Sequence, residues 1–180
     1  MLKHGILGLL NYSSMSGYQI MEVFRDSLDY FWTAQTSQIY RELQNLEKNG
    51  FVTHTVVKGG GRPDSKLFSV TDEGKKELIR WLCEENGFDT RSRLMMLTFF
   101  RGELTTEENI RFFEAVKQSA EDFSEGMGKP KKMTELYSKA INMPEKAVYW
   151  KMTVEYGRLY TKMLCEWCDL CTKMLKENSK

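Results

Sequence analysis

The stretch Thr36-Ser37-Gln38-Ile39-Tyr40-Arg41-Glu42-Leu43-Gln44-Asn45-Leu46-Glu47-Lys48-Asn49-Gly50 decides how this chain reads. Ile39, Leu43 and Leu46 recur at i, i+4 and i+7, the spacing of one helix face, and Gly50 stands where a helix C-cap commonly falls. With that face turned to a core, the helical wheel sends Ser37, Arg41, Gln44 and Lys48 outward. Such groups can meet DNA, because arginine donates two hydrogen bonds to guanine and glutamine pairs with adenine. Thr36, Ser37, Gln38 and Tyr40, near the start of the helix, are placed to reach base edges or phosphate.

The flanking segments extend the pattern. Residues 2–11 read as a first helix with Ile6, Leu7, Leu9 and Leu10 on its buried face, and the polar run 12–16 breaks it. Ser16-Gly17-Tyr18-Gln19 has the S-x-x-Q spacing of a capping box, so a second helix starts there, carries Ile20, Val23 and Phe24, and ends near Asp26. Ser16 and Tyr18 then sit at a helix N-terminus, where free amides and the dipole favour an anion. Beyond Gly50, residues 51–57 are rich in β-branched side chains, Gly59 to Asp64 is a turn, and 67–70 is again strand-like. The hairpin tip gathers Lys58, Arg62 and Lys66 against Asp64 alone. Thr71 caps a fourth helix whose expected buried face is Leu78, Ile79 and Leu82.

Composition sets the frame for these elements. The chain has 180 residues, 41% of them hydrophobic, which is ample for a buried core in one domain or two small ones. Three prolines leave long stretches without a helix breaker, so a mainly helical protein is expected. The apolar run 6–10 is too short for a signal-peptide core, and no stretch reaches the roughly 20 apolar residues of a membrane helix. The expected setting is the cytoplasm, with the four cysteines as thiols. A net charge of +1 does not by itself point to nucleic acid, so DNA binding requires basic groups concentrated on one face.

After an interruption at 85–89, only helical signals remain, at about 92–101, 106–127, 131–142 and 145–176. Thr105-x-x-Glu108 caps the second of these, and Pro144 suits the first turn of the last. The last helix carries Val148, Met152, Leu159, Met163, Trp167, Leu170 and Met174 on overlapping turns, flanked by Tyr149, Trp150, Tyr156 and Tyr160. That apolar width exceeds what a small domain covers, which leaves a share for a helix-to-helix dimer seam. Trp150, Tyr156 and Trp167 are the candidates for stacking on a small aromatic effector. Cys165, Cys168 and Cys171 form C-x-x-C-x-x-C, but the outer two are about 240° apart on a straight helix and cannot share one metal with the middle one. Burial as small apolar residues accounts for them, and neither a metal nor a cofactor is implied.

As a set, these motifs resemble the PadR-like transcriptional regulators. The resemblance rests on Ile6-Leu7-Gly8-Leu9-Leu10, Ser16-Gly17-Tyr18-Gln19-Ile20, Phe31-Trp32, Ile39-Tyr40-Arg41-Glu42-Leu43, Leu46-Glu47-Lys48-Asn49-Gly50-Phe51-Val52, Gly61-Arg62-Pro63-Asp64 and Thr71-Asp72-Glu73-Gly74-Lys75-Lys76-Glu77-Leu78. It implies a winged helix-turn-helix that works as a homodimer and usually as a repressor, and it supports the roles of Tyr18, Tyr40 and the wing. The chain departs from the family in the second wing strand, with Ser65 and Phe68 where a basic residue and a tyrosine are frequent. Arg93-Leu94-Met95-Met96-Leu97 through Phe99-Phe100 is similar to the opening helix of the virulence-activator-type domain found in longer members.

The expected architecture is therefore mainly α with a small β-hairpin wing: a winged helix-turn-helix over 1–86 and a helical dimerisation domain over 87–180. Its partners would be double-stranded DNA, bound at a pseudo-palindromic operator with half-sites about one turn apart, and a second copy joined through C-terminal helices. An enzyme is disfavoured by the lack of a phosphate loop, a nucleophile elbow, a histidine zinc signature or an organised carboxylate pair. The alternative is a dimeric protein-interaction adaptor that has lost DNA binding, for which the weak net charge and Ser65 speak.

Overall fold

Four helices and a hairpin build the first part of the chain because each contributes apolar side chains to a shared core. The computed structural model describes residues 1–29, 31–58, 64–84, 92–126 and 144–178. They fall into two compact units, the first spanning Met1–Asn86 and the second formed by the described residues from Ser92 on. In the first, α1 (Leu2–Leu10) leads through a two-residue strand β1 (Met15–Ser16) into α2 (Gly17–Ser27) and then α3 (Thr36–Lys48). Strands β2 (Val52–Val57) and β3 (Ser65–Val70) follow, then α4 (Asp72–Leu82). The sheet has the order β1-β3-β2 and is antiparallel, with Met15 opposite Phe68 and His54 opposite that same Phe68 on the other side. Ile6, Leu7, Leu9, Leu10, Ile20, Phe24, Ile39, Leu43, Leu46, Val52, Phe68 and Leu78 make one buried cluster.

Several junctions are held by hydrogen bonds that the local sequence dictates. Ser16 Oγ accepts from Gln19 N at 3.2 Å while Ser16 N donates to Gln19 Oε1 at 2.8 Å, closing the capping box of α2. Helix α3 ends in a Schellman motif: Phe51 N donates to Leu46 O and Gly50 N to Glu47 O, with Gly50 at φ +74°. Thr71 caps α4 through its Oγ1, which accepts from Gly74 N and donates to Gly50 O at 2.7 Å. This seats α4 against the turn after α3 so closely that a Cβ on Gly74 would stand 2.1 Å from the Phe51 carbonyl oxygen.

Helices α1 and α4 are also joined by an ionic cluster. The half-buried Lys3 donates to Glu77 Oε1 at 2.6 Å, Arg80 to Oε2 at 2.7 Å, and His4 Nε2 lies 3.2 Å from Oε1. Held by Lys3 first, then by Arg80 and His4, the Glu77 carboxyl is lowered to about 2. His4 stacks flat on Trp81 with ring centroids 4.4 Å apart, and burial pushes its pKa below the ordinary value.

Two expectations change in this unit. The run before α2 is more than a break, because Met15 and Ser16 pair with β3; two residues are too few to show alternation in sequence. On α4 the buried stripe is Gly74, Glu77 and Leu78 with Trp81 packed beside it, whereas Ile79 and Leu82 are 59% and 61% exposed. The stripe of Gly74, Glu77, Leu78 and Trp81 has its own helical spacing and leaves Ile79 and Leu82 beside it.

In the second unit α5 (Arg93–Phe99), capped by Ser92, passes into a 3-10 turn at Arg101–Glu103, then α6 (Thr106–Gly126) and α7 (Pro144–Asn178). The helix expected over 92–101 is thus shorter and ends in a tighter turn, locked by Arg101 Nε donating to Asn109 Oδ1 at 2.7 Å and Asn109 Nδ2 donating to Arg101 O. Thr105 and Glu108 form the expected reciprocal cap of α6. Helices α6 and α7 pack together through Phe113 edge-on to Trp167, through buried Ala120 and Cys168, and through Lys117 paired with Asp169 at 2.7 Å. The expected helix at 131–142 lies outside the described residues, as do Arg62 and the rest of the wing tip at 59–63. Among the described residues, no helix is long and apolar enough to cross a membrane.

Candidate nucleic-acid interface

Burying Ile39, Leu43 and Leu46 on α3 leaves Ser37, Arg41, Gln44 and Lys48 exposed along the opposite stripe. Successive members are three or four residues apart, so they form one continuous row. Among the described residues, no ion pair engages Arg41 or Lys48. Tyr40, 44% exposed, borders this row and lies over Gly17 at the start of α2.

The N-terminal end of α3 is partly used by its own fold. Gln38 Oε1 accepts from Gln35 N at 2.9 Å, completing a reciprocal cap, so only its amide NH2 remains for an outside acceptor. The Thr36 hydroxyl donates to Met21 Sδ at 3.0 Å. Ser16 is likewise engaged as a cap acceptor. Tyr18 is exposed on the first turn of α2, and its hydroxyl bonds to Glu22, which raises its pKa.

The wing is fixed to α3 and to the segment before β1 by side chains that sequence reasoning missed. His54 of β2 pairs with Glu47 of α3 and tilts against Phe68. Ser14 and Ser69 hydroxyls meet at 2.7 Å at the hairpin base. His54 is therefore half-buried and paired; the contact joins residues seven apart across a turn, beyond any periodic signal. Phe68, one of the family departures, faces the core, while Ser65, Lys58 and Lys66 are exposed. The acidic groups of α4 are committed to partners, Asp72 to Lys75, Glu73 to Lys76 and Glu77 to its cluster.

The three candidate effector residues do not converge within the chain. Trp150 and Trp167 are separated by seventeen residues of one helix, about 25 Å along its axis. Trp167 is packed on Phe113, while Tyr156 is exposed and stacked on Tyr160 at 6.2 Å. Burial also governs the cysteines: it pushes the Cys168 thiol up to about 11 and raises Cys165 and Cys171, which favours protonated thiols packed as apolar groups. Among the described residues, no group of histidine, cysteine and acidic side chains is arranged to hold a metal ion.

A capped three-helix core, an outward polar row on α3 and a β-hairpin beside it define the winged helix-turn-helix class. The family model described as "Transcriptional regulator PadR-like family" matches residues 6–80, and that of "Virulence activator alpha C-term" matches 90–176. The chain is thus similar to the PadR-like transcriptional regulators over residues 6–80 and to the virulence-activator C-terminal domain over 90–176. It is 36% identical over 115 residues to the "Negative transcriptional regulator PadR" of Bacillus subtilis, covering 63% of each chain. It is 45% identical over 83 residues to the "Probable transcriptional regulator Rv1176c" of Mycobacterium tuberculosis, covering 46% of this chain and 44% of that one. The aligned stretches thus span less than two thirds of these relatives. The crystal structure of Bacillus subtilis PadR in complex with operator DNA matches over 97% of this chain and 98% of that one, with a TM-score of 0.78 and 26% identity. The same protein solved with p-coumaric acid matches with a TM-score of 0.73, 26% identity and the same coverage.

Proposed function

We propose that this chain is a transcriptional repressor that binds a pseudo-palindromic operator as a homodimer in the cytoplasm and loosens its hold when a small aromatic ligand binds. The observation that carries the reading is the exposed row Ser37, Arg41, Gln44 and Lys48 set opposite a fully buried face of α3. In this reading α3 enters the major groove, Arg41 and Gln44 read base edges, and Thr36, Ser37, Gln38 and Tyr40 bind at the N-terminal end. Ser16 and Tyr18 hold phosphate at the start of α2, and Lys48, Lys58, Arg62 and Lys66 hold it elsewhere. Residues 1–86 form the DNA-binding domain and 87–180 the dimerisation domain.

Homodimerisation is supported by the apolar side chains that α7 leaves exposed, among them Val148, Met152, Leu159, Met163, Leu170 and Met174. The effector is supported by the relative solved with p-coumaric acid, and Tyr156 offers an open ring face for such a ligand. The test is binding of the full chain to the DNA upstream of its own gene over a salt series. Nanomolar-range affinity that falls steeply with salt is expected, at about 10 nM or tighter for a specific site. No preference over random duplex would leave the adaptor reading in its place.

A further inference from the structure

Helices α2 and α3 touch at two rungs. Gly17 and Met21 lie one turn apart on α2 and meet Tyr40 and Thr36, one turn apart on α3. A Cβ built on Gly17 would stand 2.6 Å from Tyr40 Cε1, 3.1 Å from Cζ and 3.2 Å from the hydroxyl oxygen, and these are its three nearest atoms. Carbon atoms in contact sit about 3.5–4.0 Å apart, so any side chain at position 17 collides with the ring. The backbone does not need glycine there, because among the described glycines only Gly50 has a positive φ. What requires the missing side chain is Tyr40.

We propose that Gly17 is a positioning residue for the DNA-reading face: it seats the Tyr40 phenol against α2 and holds it at the edge of the row that contains Ser37, Arg41 and Gln44. This rests on the function proposed above. The displaced atoms belong to the far end of a partly exposed side chain that can swing into solvent, so filling position 17 disturbs the placement of Tyr40 far more than the fold.

The test uses the full chain and a duplex that the wild-type protein enriches from a random-sequence pool. Gly17→Ala is expected to keep its helical circular dichroism and to lose the nuclear Overhauser contact between residue 17 and the Tyr40 ring. Its DNA binding should weaken about tenfold, the scale of one hydrogen bond to a charged group. In Tyr40→Ser the obstacle is gone, so adding Gly17→Ala should change binding by less than about twofold. It should also raise the thermal midpoint, because alanine avoids the backbone-entropy cost of glycine in a helix. If Gly17→Ala alone unfolds, the double variant should fold; a double variant that stays unfolded overturns the proposal, since something other than Tyr40 then demands glycine. Equal binding by wild type and Gly17→Ala overturns it too, as does the same loss in both backgrounds. A wild type that enriches no duplex removes the regulator reading and this role with it, whereas a binding wild type with an indifferent Gly17→Ala removes this role alone.

Discussion

The two units close their apolar surfaces to very different degrees. In the first, every helix and both hairpin strands deliver side chains to one buried cluster, from Ile6 and Leu7 through Phe24 and Leu43 to Phe68 and Leu78. In the second, α6 and α7 bury Phe113, Ala120, Ala147 and Cys168 but leave Met152, Leu159, Met163, Leu170 and Met174 about half exposed. Length explains part of this: 21 residues of α6 reach about 31 Å and 35 residues of α7 about 52 Å, so α6 cannot cover its neighbour. A unit that satisfies itself can present polar groups outward as a reading surface. A unit that does not is suited to completion by another apolar surface, which supports the dimer seam proposed for it.

The contrast can be broken by making the same change in both places. Leu43→Ala in the filled core should cost about 2–5 kcal/mol, read as a lower urea midpoint and faster amide exchange across α3. Leu159→Ala on the exposed stripe should cost the isolated subunit less than about 0.5 kcal/mol. Its effect should appear instead as weaker self-association, and Leu159→Glu with Met163→Glu should shift sedimentation from dimer to monomer at micromolar concentration. A monomeric wild type, or a charged variant that remains dimeric, would sever the link between exposed stripe and dimer.

Smaller effects come from the ionic cluster. Glu77 has its folded pKa lowered to about 2, so its stabilising contribution is complete above the usual carboxylate value of 4.5 and is lost as pH falls toward 2. His4 adds the same sign from higher pH: its folded pKa is lowered from 6.5, so the unfolded chain takes up a proton first as pH drops. Thermal midpoints of the first unit should therefore fall from neutral pH through 4 to 3, and Glu77→Gln should flatten the acid limb of that curve. An unchanged limb would show that the cluster does not hold α1 to α4. The smallest change expected is Lys66→Ala, with stability within about 0.5 kcal/mol and a salt slope of DNA binding lower by about 1.

Much of this was legible in the sequence where structure follows a local rule. The capping boxes at Ser16 and Thr105, the cap at Thr71, the glycine after α3 and the 3.6-residue spacing of Ile39, Leu43 and Leu46 are all set within a few residues. What was hidden depends on residues distant in the chain. A side chain at position 17 would meet Tyr40, His4 and Lys3 of α1 pair with Glu77 of α4, and α4 buries Glu77 and Leu78 while leaving Ile79 and Leu82 exposed. The outward row of α3 was readable as a face, but the engagement of Gln38 and Thr36 in holding the helix start was not.

In the proposed function the outward row of α3 reads base sequence while the other contacts only hold the DNA backbone. Its most direct test compares wild type and Arg41→Ala on an enriched duplex and on random duplex, in one salt series. Arg41→Ala should lose about 1–3 kcal/mol of preference for the enriched sequence while its salt-dependent binding to random duplex stays nearly the same. Full retention of sequence preference by Arg41→Ala would contradict it.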